Sequence, residues 1–454
     1  MSVRVRFAPS PTGPLHVGNA RIALLNFLFA RREGGDFLLR FDDTDRERSR
    51  PEHAAAIERD LGWLGLTWQG PEYQSARLPA YAAAAVCLRE RGRLYACYET
   101  EDELQRKRAA QRRRGRPPVY DRAGLGLSAV DRASREAAGE TPHWRFLLSE
   151  RAISWHDMVL GERRIPLPSL SDPVLVRADG TPLYTFSSIV DDQEFGITHV
   201  IRGEDHVTNT AVQIDLWEAL DGALRLPDFA HLPLLTDETG GKLSKRLGSL
   251  GIATLREDGV TAEALACYLA RLGTSGDALP AALESLAGTF DLAAFSHSPA
   301  RFDVQQLLAL NRHVLQRLPF AAVAGFLPAG ATAEFWLAVR ENIDLLSETR
   351  HWWQVVAGEI APAGLQAEGA LLRAAAELLP PEPWDGPEPW DGEVWKRYAA
   401  ALSAATGRRG KALFHPLRLA LTGEEDGPAL ARLLPLIGRA RAAARLNEAA
   451  QAQG

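Results

Sequence analysis

The sequence predicts an α/β core that is interrupted by a mixed α+β insertion and followed by an all-α carboxyl-terminal part. Three observations carry this reading. Near the amino terminus Val3, Val5 and Phe7 alternate with Arg4 and Arg6, the period of a strand with two distinct faces, and a Pro/Gly turn then leads into an apolar helical run. Composition changes near Ala85 and a strand pattern returns at Pro182, so the segment between is an insertion. Beyond about Leu255, apolar residues recur at helical spacing in ALACYLARLG, FDVQQLLALNRHVL, EFWLAVRENIDLL and the Ala/Leu-rich end.

The first element is VRVRFAPSPTGPLHVGNAR, Val3 to Arg21. Pro9, Pro11, Gly13 and Pro14 forbid helix and strand alike, and Asn19 is the expected cap of a helix carrying Ile22, Leu24, Leu25, Leu28 and Phe29. A helix N-terminus facing the carboxyl end of a strand offers N–H groups and positive partial charge to a polyphosphate. His16 and Asn19 can donate hydrogen bonds there, and Gly18 lets the backbone approach closely. The next strand, within GGDFLLRFDDTDRERS, ends in Asp42, Asp43 and Asp45. Asp45 and Ser49 read as turn and cap residues for a helix starting near Pro51. Asp42, the first residue past the apolar run, reaches the crevice shared with Arg6 and His16, where open parallel sheets bind ligands.

Inside the insertion, Arg106 to Arg116 carries seven basic residues and no acid, preceded by Glu99, Glu101, Asp102 and Glu103. Such a run is either a solvated helix face or a contact for an RNA backbone. At Pro182 the sequence PLYTFSSIVDDQEFGITHVIRGEDH returns to strand pattern, with Tyr184 and Ser188 four apart and Arg202 ending the HVI strand. HLPLLTDETGGKLSKR then runs from a short strand into a Gly-flexed loop, where the ammoniums of Lys242 and Lys245 suit a developing pyrophosphate charge. The tandem PEPWDGPEPWDG, Pro381 to Gly392, cannot be regular helix and reads as a spacer with Trp anchors. After it, Lys396 to Arg418 holds six Lys/Arg and no acid, a charge that can track an RNA backbone.

Composition narrows the class. A chain of 454 residues with 46% hydrophobic and 24% charged residues has room for several domains with cores of their own. Three cysteines, Cys87, Cys97 and Cys267, form no CxxC pair, so free thiols in a reducing compartment are expected. No signal or membrane span is visible, and the protein is expected in the cytoplasm. A net charge of −6 argues against bulk nucleic-acid binding and confines any RNA contact to local basic patches.

Three of these stretches carry a resemblance. APSPTGPLHVGNAR resembles the "HIGH" element of class I aminoacyl-tRNA synthetases in the form seen in glutamyl-tRNA synthetases. GGKLSKR, Gly240 to Arg246, resembles their "KMSKS" loop with Leu243 at the usual Met, and GRRGKALFHPLRLALTG resembles their anticodon-binding region. The resemblance implies a Rossmann-like catalytic domain split between 1–84 and 184–236, and an acceptor-binding insertion at 85–183. It further implies a stem-contact domain with the lysine loop at 237–315, and a helical anticodon-binding region at 316–454 with a linker at 379–393.

It also implies roles. His16, Asn19, Lys242 and Lys245 would be catalytic, and His16, Gly18, Asn19, Lys245 and the backbone near Leu234 and Leu235 would bind ATP. Arg6, Ser10, Asp42, Tyr184, Ser188 and Arg202 would bind glutamate, with Asp42 where the family commonly has Glu and Ser188 where some relatives have Asn. The set is chemically coherent, because a dicarboxylate with an amino group needs two cationic clamps and one anion. Buried Arg6 and Arg202 have a second reading as structural ion pairs with Asp42 and Glu204.

The implied activity is ATP- and Mg2+-dependent ligation of L-glutamate to the glutamate tRNA, with the glutamine tRNA a further acceptor to consider, by a monomer with no membrane partner. A glutaminyl-tRNA synthetase and a noncatalytic tRNA-binding paralogue are the alternatives. Some relatives hold zinc in the insertion through Cys-x-Cys and a later Cys. This chain has Cys97 followed by Glu99, and YDRAGLGL supplies neither Cys nor His, so no zinc is expected.

Overall fold

Two sheets adjoin at the strand that the sequence places first. The computed structural model describes residues 2–237, 241, 250–361, 364–381 and 390–452. Among these the strands, in chain order, are β1 (Arg4–Phe7), β2 (Asp36–Phe41), β3 (Gln69–Tyr73), β4 (Leu94–Cys97), β5 (His143–Phe146), β6 (Ala152–Asp157), β7 (Gly161–Pro166), β8 (Val174–Val176), β9 (His199–Gly203), β10 (Asp228–Leu232), β11 (Leu235–Thr236) and β12 (Ala300–Arg301). One sheet has the order β1-β2-β3, all parallel. The other has the order β7-β6-β10-β9, parallel except for the β6/β7 hairpin. The Arg4 N–H donates to Thr198 Oγ1 at 2.8 Å and the Thr198 N–H to the Arg4 carbonyl at 2.9 Å, which joins β1 to the start of β9. The strand order therefore reverses between β1 and β9, and such a switch point opens a crevice at the carboxyl ends of the strands.

The helix Val17–Arg32 follows β1 and packs Ala20, Leu24, Leu25 and Leu28 at zero exposure. Its Asn26 donates to the Ile201 carbonyl at 3.0 Å, which pins it to β9. The segment 85–183, expected as one insertion, divides. β4, β5 and β8 form a separate antiparallel sheet, whereas β6 and β7 belong to the sheet of β9 and β10. The alternation in AISWHD gives two faces but cannot say which strand is the neighbour.

Tyr184–Glu194 is a helix, not the strand its Tyr, Thr, Phe, Ile and Val suggested. Residues Phe186 to Asp192 are all buried, so the period that separates the two states is hidden and tertiary packing overrides β propensity.

The chain forms two compact units, one of Met1–Thr254 with Leu265–Asp303 and one of Leu255–Ala264 with Val304–Gly454. In the second, helices such as Ala333–Val339, Gly369–Glu377, Gly392–Thr406, Leu430–Ile437 and Arg439–Ala449 enclose a core of Phe335, Trp336, Leu372, Leu402, Leu433 and Leu446. The helical expectation holds there. In the first unit one short pair breaks it, β11 with β12, too brief to leave an alternating pattern. The three cysteines carry no disulfide. No helix among the described residues is long and apolar enough to cross a membrane.

Candidate active site

The turn after β1 places His16, not Asn19, at the helix cap. His16 Nδ1 accepts from the backbone N–H groups of Gly18 at 3.1 Å and Asn19 at 3.4 Å, and the Val17 N–H donates to the Leu250 carbonyl at 3.1 Å. The helix N-terminus expected to offer free N–H groups is thus largely satisfied from within. An accepting Nδ1 puts the imidazole proton on Nε2, and burial lowers the pKa of His16, which favours that neutral donor form. Asn19 lies one turn-step inside the helix with an exposed side chain. Gly18 eases the cap: a Cβ there would crowd two atoms of the His16 ring at 3.0 Å.

Behind this turn lies an ionic hub that the sequence did not reveal. Arg40, the penultimate residue of β2, is wholly buried. Its Nε donates to Asp42 Oδ1 at 2.7 Å and its Nη1 to Asp192 Oδ1 at 2.7 Å, with Asp191 at 3.6 Å. Burial opposes its charge, but Asp42 and Asp192 outweigh it and raise the Arg40 pKa well above its ordinary value. Asp42 is lifted to about 6, because burial exceeds the pull of Arg40. Asp192 is buried too, yet Arg6 and Arg40 hold it below the usual carboxylate range.

Arg6 therefore pairs with Asp192 through Nε, 3.2 Å from both carboxylate oxygens, and not with Asp42. Its two terminal nitrogens have no partner among the described residues. The Asp42 N–H donates to the Pro9 carbonyl at 3.0 Å, which sets Asp42 beside the exposed Ser10. Asp45 takes the expected turn role, accepting from the Arg48 N–H at 3.2 Å, and Asp43 accepts from Ser75.

Arg202, at the end of β9, sits in a cage of a different kind. Nε donates to His231 Nε2 at 3.3 Å, Nη1 to Tyr184 Oη at 3.2 Å, and Nη2 to Thr210 Oγ1 at 2.6 Å and Gln213 Oε1 at 2.7 Å. Every partner is neutral, and no carboxylate pairs with Arg202 among the described residues. Glu204, the anticipated partner, accepts instead from the Leu234 N–H at 3.0 Å. Burial, and then the neighbouring Arg6, work against the Arg202 charge and lower its pKa. Ser188 Oγ accepts from Gln213 Nε2 at 3.0 Å, so Tyr184 and Ser188 both belong to this cage.

The strand region after β10 is tied in by buried Arg21, which donates to the Pro233 and Leu272 carbonyls at 3.0 Å each. Leu234 has both backbone groups engaged, since its carbonyl accepts from the Ala300 N–H at 3.0 Å. The carbonyls of Leu234 and Thr236 face β12, so the peptide groups of Leu235 face away from it. Lys242 and Lys245 lie outside the described residues. On their carboxyl side, Leu250 and Ile252 bond to Val17 and Leu15 and flank His16.

On the helix Glu101–Arg113, which follows β4, and just beyond it, the arginine-rich run divides by partner. Lys107 pairs with Glu99 and Asp121, and Arg108 with Glu101. Arg112, Arg113, Arg114 and Arg116 are exposed and pair with no carboxylate among the described residues. Donor atoms of Cys97, Glu99 and His143 lie within 4.8 Å of one another. The sequence reading missed His143, because its nearness to Cys97 is set by the β4/β5 register and not by motif spacing. As a zinc site the group fits poorly. Glu99 Oε1 is already bonded to Tyr120 Oη at 2.8 Å and the set is one ligand short of four, although Glu99 Oε2 and His143 Nε2 are buried with no hydrogen-bond partner among the described residues.

The geometry matches known proteins along the whole chain. Residues 2–309 match the family model for the catalytic domain of class I tRNA synthetases (E and Q), and residues 367–450 that for an anticodon binding domain. A chain from Acidiphilium cryptum named glutamate–tRNA ligase 2 is 60% identical over 448 residues, covering 99% of this chain and all of that one. One of the same name from Gluconacetobacter diazotrophicus is 56% identical, again over 99% of this chain and 100% of its own. A crystal structure of a glutamate tRNA ligase from Elizabethkingia meningosepticum, in complex with its amino acid, superposes with a TM-score of 0.84 at 29% identity and 99% coverage of both chains. With a crevice at the switch point, His16 as the helix cap and two family matches in the expected order, this chain belongs to the glutamate–tRNA ligases of the class I aminoacyl-tRNA synthetases.

Proposed function

We propose that the crevice between β1 and β9 binds glutamate and ATP for a two-step ligation. The observation that carries this is Arg202, a buried cation without an anionic partner, beside Arg6, whose terminal nitrogens are uncommitted. A dicarboxylate completes that charge pattern, with Arg6 on its side-chain carboxylate, Arg202 as the second clamp and Asp42, next to Ser10, on its ammonium. Glutamine would leave one guanidinium facing an amide, which together with the relatives' names favours glutamate over the glutaminyl alternative.

In the first step a glutamate carboxylate oxygen attacks the α-phosphorus of ATP and pyrophosphate leaves. His16 Nε2–H, with Asn19 close by, donates to phosphate oxygens, and the free peptide edge of Leu235 receives adenine. Lys242 and Lys245 stabilise the departing charge, consistent with the anchoring of Leu250 and Ile252 at the His16 turn. ATP enters as its Mg2+ complex, and no resident zinc takes part. In the second step the terminal ribose hydroxyl of the tRNA attacks the acyl carbon and displaces AMP.

Exposed Arg112, Arg113, Arg114 and Arg116, at the end of the helix that follows β4, are the RNA contacts of the insertion. In the helical unit Trp395, Phe414, His415 and Arg418 line an open cavity, and Arg418 Nη1 is buried without a partner. Aromatic faces beside an unpaired donor suit an unstacked anticodon base. The enzyme acts as a cytoplasmic monomer on the glutamate tRNA. Charging purified glutamate and glutamine tRNAs with labelled amino acids tests the assignment: glutamate is loaded and glutamine is not, while loading of glutamine onto either tRNA would refute it. The same assay reads whether the glutamine tRNA is a second acceptor.

A further inference from the structure

The cage around Arg202 contains groups with no role in the reaction so far. Gln213 spans from Arg202 Nη2 to Ser188, using its carbonyl on one and its amide N–H on the other. His231 is wholly buried. Its Nδ1 bonds to Asp157 Oδ2 at 2.5 Å, while Asp157 Oδ1 accepts from the backbone N–H groups of His231, Val159 and Leu160 at 3.0 to 3.1 Å. A carboxylate so placed keeps the ring proton on Nδ1 and leaves Nε2 as a lone-pair acceptor for Arg202 and Thr210. The carboxylates near this cage among the described residues are committed elsewhere, Asp157 to His231 and Asp192, whose charge reaches Arg202, to Arg6 and Arg40.

We propose that Gln213 and His231 are positioning residues that fix the Arg202 guanidinium while leaving its charge without a counter-ion, so that the substrate carboxylate supplies it. The inference rests on the reading that Arg202 contacts substrate. Its physical basis is an asymmetry between amide and carboxylate. Either satisfies the Arg202 N–H groups, but only a carboxylate also neutralises them and competes with glutamate.

The decisive variant is Gln213→Glu in the full chain, which is isosteric and lets the Ser188 hydroxyl donate in place of the lost amide. Initial rates of tRNA charging are measured over glutamate and over ATP, with a thermal melt of each protein. The KM for glutamate should rise by about tenfold or more, as expected when a charge-assisted contact meets a competing anion. The KM for ATP should stay within about twofold and the melting temperature should not fall, since the new pair satisfies Arg202. A purely structural glutamine would instead show a lowered melt with an unchanged glutamate KM, and that result overturns the proposal. Should Q213E melt early, Thr210→Asp sets the same charge on the same nitrogen, and the two KM values decide in the same way. Arg202→Ala is run alongside. If it leaves the glutamate KM untouched, the substrate reading itself fails; if it raises KM and Q213E does not, only the cage inference fails.

Discussion

Arg40 and Arg202 are both buried arginines of one crevice, and their surroundings are opposite. Arg40 touches Asp42 and Asp192 at 2.7 Å and lies 3.6 Å from Asp191, whereas Arg202 touches a tyrosine, a threonine, a glutamine and a histidine. Burial alone does not say which cation serves the fold and which serves the substrate. The sign and completeness of the partner set does: a neutralised charge is a structural brace, and a charge that is only hydrogen-bonded still wants an anion. Arg6 stands between the two, braced by Asp192 through Nε and open at its tip.

The largest expected effect breaks the brace. Arg40→Met strands buried Asp42 and leaves Asp192 with Arg6 as its one remaining cation among the described residues, and removing one partner of such a network costs on the order of 3–5 kcal/mol. A chemical denaturation series should show that loss. Stability equal to the parent's would mean that Arg40 does not brace the fold. Next is the intermediate case. Arg6→Gln keeps a polar group beside Asp192 but removes the free tip, and should weaken glutamate by about 2–4 kcal/mol in kcat/KM with ATP little affected. Steady-state kinetics with each substrate varied reads this directly.

The smallest effect is a pH dependence at the hinge between the two regions. Asp42 is raised to about 6, and it must be ionised to hold an ammonium. The kcat/KM for glutamate should therefore fall as pH drops below about 6, and the inflection should vanish in Asp42→Asn. The stability linkage has the opposite sense from a salt-bridged acid. Its folded pKa lies above the unfolded one, so its contribution is present at low pH and is lost as pH rises through that window towards 6. A flat profile between pH 5 and 7 would show that the carboxylate is not raised or does not touch substrate.

How much of this was legible beforehand follows from how far apart the partners lie. His16, Arg6, Asp42 and Arg202 each end a strand or a turn, and local pattern suffices to put such residues at one edge of a sheet. The brace does not follow from local pattern. Arg40 meets Asp192 across 152 residues, and Asp157 meets His231 across 74, separations that depend on strand order. The adjacent Asp191 and Asp192 beside Ile189 and Val190 in SSIVDDQEF are a local signal, since two buried acids on one helix demand cations. The cap was misplaced by three residues, because a histidine that accepts through Nδ1 mimics the Asx cap expected of Asn19. The β6/β7 hairpin read as insertion, because alternation does not name a strand's neighbour.

Arg202→Met, measured by calorimetric titration with glutamate and by thermal melt on the same preparation, separates brace from substrate clamp most directly. An uncompensated buried cation is replaced there by an apolar side chain of similar length, so the melt should fall less than that of Arg40→Met, while glutamate binding should weaken beyond detection at concentrations that saturate the parent. A variant that melts as early as Arg40→Met yet binds glutamate like the parent would contradict the clamp role, and would make Arg202 one more brace of the fold.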